Sequence, residues 1–405
     1  MCPQMSEVAH SQKIAQAGAA LGINAKLRAF PEMQRRLERF ALQSVARSIL
    51  PESRTAKCLR IRAREANVQV WNSTKHRTAH YGGLQTCGSV WACPVCAAKI
   101  AERRRNEIRQ AIDMHRAEGG EVQLLTLTTP HTRFDRLSDL LAMQQKAVEA
   151  FLRDGTVRKQ IFVEMGYVGQ IRAWEGTHGR KGTGNGWHPH FHFLQFVGSK
   201  VDAAKLTEWK ERLYARWRAC CEKVGLGAPS LKHGIDLQDG SEADRYLSKW
   251  GLEDEMTKAH LKKAKEGGET PFDLLRAYLA DPNDKQAAAL FREFVENFKG
   301  KRQLSWSNGL KARFYVDDKT DEELAEEQEE QAVLLGQITV DQWRDVLKVK
   351  GRGVVLEIAA ATRSWERVEQ YLYFIKGAHD PTQLACEITS EMLQEVRQLL
   401  LEGHS

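Results

Sequence analysis

Asn185-Gly-Trp-His-Pro-His-Phe-His-Phe-Leu-Gln-Phe-Val197 is the stretch whose reading decides the fold. Its polar and apolar residues alternate. On a strand, His188, His190, His192, Leu194 and Phe196 therefore share one face, and Phe191, Phe193, Gln195 and Val197 share the other. Histidines at i and i+2 of a strand stand about 7 Å apart at the backbone, so both imidazoles can converge on one divalent ion. Three in a row do not all reach that ion from a straight strand. Pro189 has no N–H for a ladder and belongs at the strand's start. This leaves His190 and His192 as the ligand pair and His188 outside it. Taken alone, the stretch also fits a His-rich strand edge or a structural zinc site.

Working outward, Tyr167 to Glu175 has strand character, and a Gly-rich connection from Gly176 to Gly186 joins it to the histidine strand as a hairpin. Upstream, Glu121-Val-Gln-Leu-Leu-Thr-Leu-Thr-Thr129 is a leucine-rich and β-branched strand closed by Pro130. An amphipathic helix from Leu137 to Arg153 follows it. Downstream lie a helix from about Ala203 to Val224 and a short strand from Gly234 to Leu237. Strands and helices in this order predict an α+β fold, an antiparallel sheet with helices packed on one face.

A second chemistry precedes the sheet. Cys87-x5-Cys93-Pro-Val-Cys96 presents three thiols within ten residues, and Cys58 stands upstream. Tetrahedral zinc needs four ligands, and Cys58 is the expected fourth, with His80 or His76 as alternatives. The helix that follows, Ala97 to about Ala117, carries Lys99, Arg103, Arg104, Arg105 and Arg109, a candidate phosphate-contacting arm. Eight cysteines including a Cys-x-x-Cys, with no charged start and apolar run at the N-terminus, argue for a reducing cytoplasm and metal rather than disulfides. No apolar run approaches the ~20 residues of a membrane span.

Charge is unevenly spread. The net charge is +7, but Asp317 to Gln331 holds nine carboxylates and one lysine, leaving +15 on the rest. A basic body suits a polyanionic partner. Five stretches follow from these features: a helical region at 1–56, a zinc-binding segment and basic helix at 57–118, the sheet domain with a helical extension at 119–316, an acidic linker at 317–335, and a helical domain at 336–405. Pro271 to Phe314 reads as helical, with Leu274, Leu275, Tyr278, Leu290, Phe291, Phe294 and Phe298 as core.

One further stretch carries chemistry. In Asp239-Gly-Ser-Glu-Ala-Asp-Arg-Tyr-Leu-Ser-Lys-Trp250, Ser241 can cap a helix on which Glu242, Tyr246 and Lys249 fall at i, i+4 and i+7. An isolated tyrosine between Glu and Lys is more often a half-buried helix residue than a nucleophile.

Together these residues resemble the rolling-circle replication initiators of plasmids, within the HUH endonuclease superfamily. Leu124-Leu-Thr-Leu-Thr-Thr129 is similar to that family's first motif, His188-Pro-His-Phe-His192 to its second, and Glu242-x3-Tyr246-x2-Lys249 to its third, in the single-tyrosine branch. The cysteine cluster and Lys301-Arg-Gln-Leu-Ser-Trp-Ser-Asn-Gly-Leu310 are also similar to plasmid initiators. The C-terminal region matches nothing in that pattern.

The resemblance implies a ferredoxin-like sheet and a site-specific nick in one strand of origin DNA, presented single-stranded or as a hairpin. It implies Tyr246 as nucleophile, a catalytic Mg²⁺ or Mn²⁺, and a host helicase and replication machinery as partners. A tyrosine hydroxyl, with its pKa near ~10, is a poor nucleophile unaided. An ion held by His190 and His192 would polarise the phosphate, and Lys249 would favour phenolate or a phosphate oxygen. Glu175, on the neighbouring strand where such enzymes often place an acid or amide, is the expected third ligand. Glu242 is the expected base for the hydrolytic step that ends replication. A related transposase or relaxase is one alternative, and a non-enzymatic zinc-dependent DNA-binding regulator is another.

Overall fold

The strand–helix–strand–strand–helix–strand run around the histidine stretch folds into one antiparallel sheet. The computed structural model describes residues 31–73, 78–241, 268–327 and 332–376. In chain order its main elements are α1 (Pro31–Ile49), β1 (Val68–Ser73), β2 (Ala79–Gly82), α2 (Pro94–Ala117), β3 (Glu121–Leu127), α3 (Leu137–Arg153), β4 (Gly169–His178), β5 (Trp187–Val197), α4 (Ala203–Lys223), β6 (Ile235–Gln238), α5 (Pro271–Ala280), α6 (Lys285–Phe298), β7 (Leu304–Trp306), β8 (Ala332–Ile338), α7 (Val340–Lys348), α8 (Arg352–Thr362) and α9 (Trp365–Phe374). Contacts group the chain into two units, 98–274 with 289–320, and 1–97 with 275–288 and 321–405.

In the unit of 98–274 and 289–320, the sheet order is β6-β3-β5-β4-β7, antiparallel at every junction. The segment β3-α3-β4-β5-α4-β6 with strand order β6-β3-β5-β4 is the ferredoxin-like arrangement, and β7 is added beside β4. α3 and α4 pack on each other, with Phe151 edge-on to Trp217 at 5.8 Å. Asp202 starts α4 by accepting from the Lys205 N–H, the usual side-chain relief of an orphan amide at a helix start.

β4 runs three residues beyond Glu175. Gly176, Thr177 and His178 pair with Pro189, His188 and Trp187, so Gly176 belongs to the ladder and not to the connection. The reason is packing. A Cβ at Gly176 would stand 3.2 Å from the Phe294 ring, so the strand uses glycine to admit that ring.

Burial along β5 alternates from Trp187 to Phe193 and then stops alternating, every residue from Phe193 to Val197 being buried. The inner end of the histidine face is covered. There Val122, Ile171, Leu194 and Phe196 pack with Ile108, Ala111 and Ile112 of α2 and with Leu310, Phe314 and Val316. Helical cover is therefore present on this end of the histidine face, and the other end carries the polar side chains.

In the unit of 1–97, 275–288 and 321–405, β2-β1-β8 form a three-stranded sheet. β8 pairs antiparallel along β1, from Val68 opposite Ile338 to Ser73 opposite Ala332. Its core joins Phe40 of α1, Val68 and Val70 of β1, and Trp343, Val355, Ala359, Val368 and Tyr371 of the last three helices. Residues 332–376 thus share a core with the N-terminal region, whereas the sequence segmentation placed 317–335 in a linker and 336–405 in a domain of its own. Long-range strand pairing of this kind leaves no local trace in sequence.

Candidate metal centre

The hairpin register sets Glu175 directly opposite His190, with Ala173 opposite His192. Side chains at i and i+2 of β5 and one on the neighbouring strand then point the same way. Glu175 Oε2 lies 3.4 Å from His190 Nε2 and 3.6 Å from His192 Nε2. One ligand atom from each of the three lies within 4.8 Å of the others, a spacing that one ion can bridge. Two histidines and one carboxylate with further positions open suit a divalent catalytic metal.

Neighbouring groups orient the rings. His190 Nδ1 sits 3.2 Å from the His188 carbonyl, so Nδ1 carries the proton and Nε2 presents a lone pair. His192 Nδ1 is 2.9 Å from Thr126 Oγ1, on the strand on the other side of β5. Burial alone would raise the Glu175 carboxyl, but the His192 and His190 imidazoles outweigh it and hold it well below the usual carboxylate range. His190 is moved the other way. Burial would lower it, and Glu175 more than compensates, leaving it above the ordinary histidine value. The geometry is pre-formed, with the Glu175 carboxylate held ionised beside the two imidazoles.

His188 lies outside this group. Its Nδ1 is 3.4 Å from Nδ1 of His131, whose own ring meets the Thr129 carbonyl at 3.1 Å. Burial, with His190, His131 and His192 nearby, lowers His188 to about 3. His131 does not stand out in the sequence, and Thr126 is marked there only as part of Leu124-Leu-Thr-Leu-Thr-Thr129, with no role of its own. Both follow from how β3 and the turn after it lie against β5, which the sequence pattern does not specify. Tyr246, Glu242, Lys249, Trp250 and His76 lie outside the described residues.

The second ligand set is made of thiols. Cys58, Cys87, Cys93 and Cys96 are all buried and form one group. The Sγ separations include 3.4 Å for Cys58–Cys96, 3.7 Å for Cys87–Cys96 and 3.8 Å for Cys93–Cys58. Sulfurs around a tetrahedral zinc with ~2.3 Å bonds stand about 3.8 Å apart. Gln43 donates to Cys93 Sγ at 3.1 Å and Thr55 to Cys87 Sγ at 3.7 Å. The neighbouring thiols Cys87, Cys93 and Cys96, with burial, push the Cys58 thiol far above its ordinary value. Four converging cysteine sulfurs fit a zinc ion, which binds them as thiolates and takes their protons' place. His80, the alternative fourth ligand, lies on β2 opposite Trp71 of β1 and outside this group.

The five basic residues of α2 differ in what they can offer. Arg104 is buried, pairing with Glu107 at 2.9 Å and donating to the Lys319 carbonyl at 2.8 Å. Arg105 pairs with Glu102. Lys99 and Arg103 are half-buried, and Arg109 is exposed.

No helix among the described residues is long and apolar enough to cross a membrane. Residues 83–210 match the family described as "Replication protein", a span that holds Cys87, Cys93, Cys96, Glu175, His190 and His192. The chain is 29% identical over 300 residues to "Protein rep" of Streptomyces lividans, covering 58% of this chain and 65% of that protein. It is 33% identical over 176 residues to "Neomycin resistance protein" of Streptomyces cyanogenus, covering 34% of this chain and 38% of that one. The match thus spans less than two thirds of either relative's length. No solved structure matches the chain.

Proposed function

We infer that this chain, which carries the replication-protein family's match at residues 83–210, is a plasmid replication initiator that nicks one strand of its origin DNA. The observation that carries this reading is the Glu175–His190–His192 cradle on the open end of an antiparallel sheet, inside the matched span. Mg²⁺ or Mn²⁺ bound there would polarise the scissile phosphate and offset its charge. Lys249 and Tyr246, on one face of the sequence-predicted helix, supply the nucleophile and a cation to favour its ionised form.

In this mechanism Tyr246 Oη forms a bond to phosphorus as the phosphorus–3′-oxygen bond breaks. The phenol loses its proton and the departing oxygen gains one, leaving a 5′-phosphotyrosine ester and a 3′-OH to prime synthesis. One phosphodiester replaces another, so strands rejoin without ATP. With the tyrosine consumed, the terminating cleavage uses water activated by Glu242. The thiolate site has no open position for substrate and serves structure through zinc. Origin DNA is the substrate, and the host helicase and polymerase act downstream of the nick.

Incubating the protein and Mn²⁺ with a labelled single-stranded oligonucleotide from the origin of its own replicon tests this. Label should become covalently attached to the protein, and Tyr246→Phe should abolish the adduct while binding persists. An adduct on the Tyr246→Phe protein would reassign the nucleophile. No adduct with wild type would favour a DNA-binding regulator. Glu242→Ala should keep the adduct but accumulate over-length products in a replication reaction.

A further inference from the structure

The turn between β3 and α3 holds an aromatic ring out into solvent beside the histidine site. Phe134 is 79% exposed, between Arg133 and Arg136. A single exposed apolar residue is ordinary on a protein surface, so exposure alone carries little. The surroundings carry more. The Arg133 guanidinium lies over the Phe134 ring, 4.7 Å from its centroid. Asp135 pins the turn by accepting from the Thr132 N–H at 2.6 Å and the Thr132 hydroxyl at 3.0 Å. The same hydroxyl accepts from the Phe134 N–H at 3.3 Å. The ring is therefore presented on a fixed loop, at a reduced entropy cost for any partner that stacks on it.

The loop is also tied to the site. Gly186 has φ +78°, and a Cβ there would stand 2.8 Å from Arg133 Cα, so the turn packs directly on the start of β5. His131 of the turn meets His188 of β5 at 3.4 Å. Gly186 precedes His190 by four residues, roughly 13 Å along an extended strand. At the ~3.4 Å per nucleotide of a stacked strand, that distance is a few nucleotides.

We propose that Phe134, with Arg133 over its ring, is a stacking platform for a base of the single DNA strand whose phosphate lies at Glu175–His190–His192. An aromatic face accepts any base, and an arginine beside it adds a phosphate contact or a cation–π contribution. The proposal deepens the nicking reading and rests on it. It assigns the turn the task of fixing the strand's path a few nucleotides from the scissile bond, with little preference for base identity at that position.

The test measures binding of a short oligothymidylate by fluorescence anisotropy and, separately, nicking of the origin oligonucleotide. Phe134→Ala should weaken oligothymidylate binding roughly tenfold, within the range of one lost base stack, and Phe134→Trp should restore it. Tyr315→Ala, removing a ring 80% exposed but next to the covered end of the sheet, should leave binding unchanged. A strand with an abasic linker at the stacked position should bind wild type and Phe134→Ala equally. An oligothymidylate carrying 5-iodouracil should crosslink on irradiation to the peptide containing Phe134. Equal affinity of wild type and Phe134→Ala for oligothymidylate, with nicking intact, overturns the platform alone. Wild type that binds no single strand overturns both the platform and the nicking reading.

Discussion

At the residue scale, Thr126 shows how one hydroxyl can orient a candidate metal ligand. Its Oγ1 meets His192 Nδ1 at 2.9 Å, and that contact fixes which way Nε2 points toward Glu175. Such outer contacts typically change metal affinity 10–100-fold. Thr126→Val keeps shape and removes the partner, so Mn²⁺ affinity measured by calorimetry should fall by about tenfold or more, while Thr126→Ser retains it. Equal affinities for wild type and Thr126→Val would dismiss the role. Glu175→Ala should raise the Mn²⁺ or Mg²⁺ needed for nicking, and an unchanged metal titration would remove Glu175 from the ligand set. Period-two spacing made His190 and His192 legible from the sequence. Glu175 required in addition a hairpin and a resemblance. Thr126 required the β3–β5 register, which is set by side chains far apart in the chain.

At the element scale, the end of α3 is tied to α4 by one carboxylate. Asp154 accepts from the Thr156 and Val157 amides at 2.9 and 3.1 Å, and from Arg216 Nη2 at 2.5 Å. Burial works to raise its pKa, but Arg216 and the two amides outweigh that and hold it below the ordinary carboxylate value. The sign follows directly. A depressed folded-state pKa gives stability that is full above the unfolded-state value, near ~3.9, and is lost as pH falls through the folded value. Asp154→Asn should therefore cost about 1–3 kcal/mol at neutral pH in urea unfolding, and the gap should close in acid. A gap independent of pH would mean that the carboxylate's charge contributes nothing. Element positions were largely readable: α3 has the bounds its apolar spacing predicts, and α4 ends within a residue of the expected limit. The end of β4 was not readable, because Gly176 signals a turn in sequence and serves packing against Phe294 in the fold.

At the scale of the whole molecule, the two groups that could hold metal lie in different units and differ in chemistry, one of four buried cysteines and the other of two histidines and a carboxylate. Metal analysis of His190→Ala/His192→Ala protein should still find about one zinc per chain, whereas Cys93→Ser protein should lose it. Loss of zinc in the histidine variant, with the cysteines reactive toward a thiol reagent, would refute separate sites. The thiol group also organises its own unit. Gln43 of α1 donates to Cys93 and accepts from Arg352 of α8, whose guanidinium also donates to the Leu59 carbonyl. Burial and neighbouring Arg60 lower Arg352 to about 10, while Cys58 and Cys93 act to favour its charge. The sequence by itself determined the local chemistry: which residue types could ligate metal, where the strands and helices around the histidine stretch run, and the basic balance that suits DNA, but not the strands at Leu304–Trp306 and Ala332–Ile338, which fall in stretches read as helical or linker. Each of these depends on neighbours within a few positions, through strand alternation, helix periodicity or ligand spacing. Only the tertiary structure decided that residues 332–376 share a core with α1 and β1, that α2 covers one end of the histidine face, and that Arg104 is occupied by Glu107 and Lys319. Those outcomes depend on contacts between segments far apart in the chain, 270 residues between Val68 and Ile338 and 309 between Gln43 and Arg352. Such pairings arise from the shape and burial of the assembled core, which no local pattern encodes.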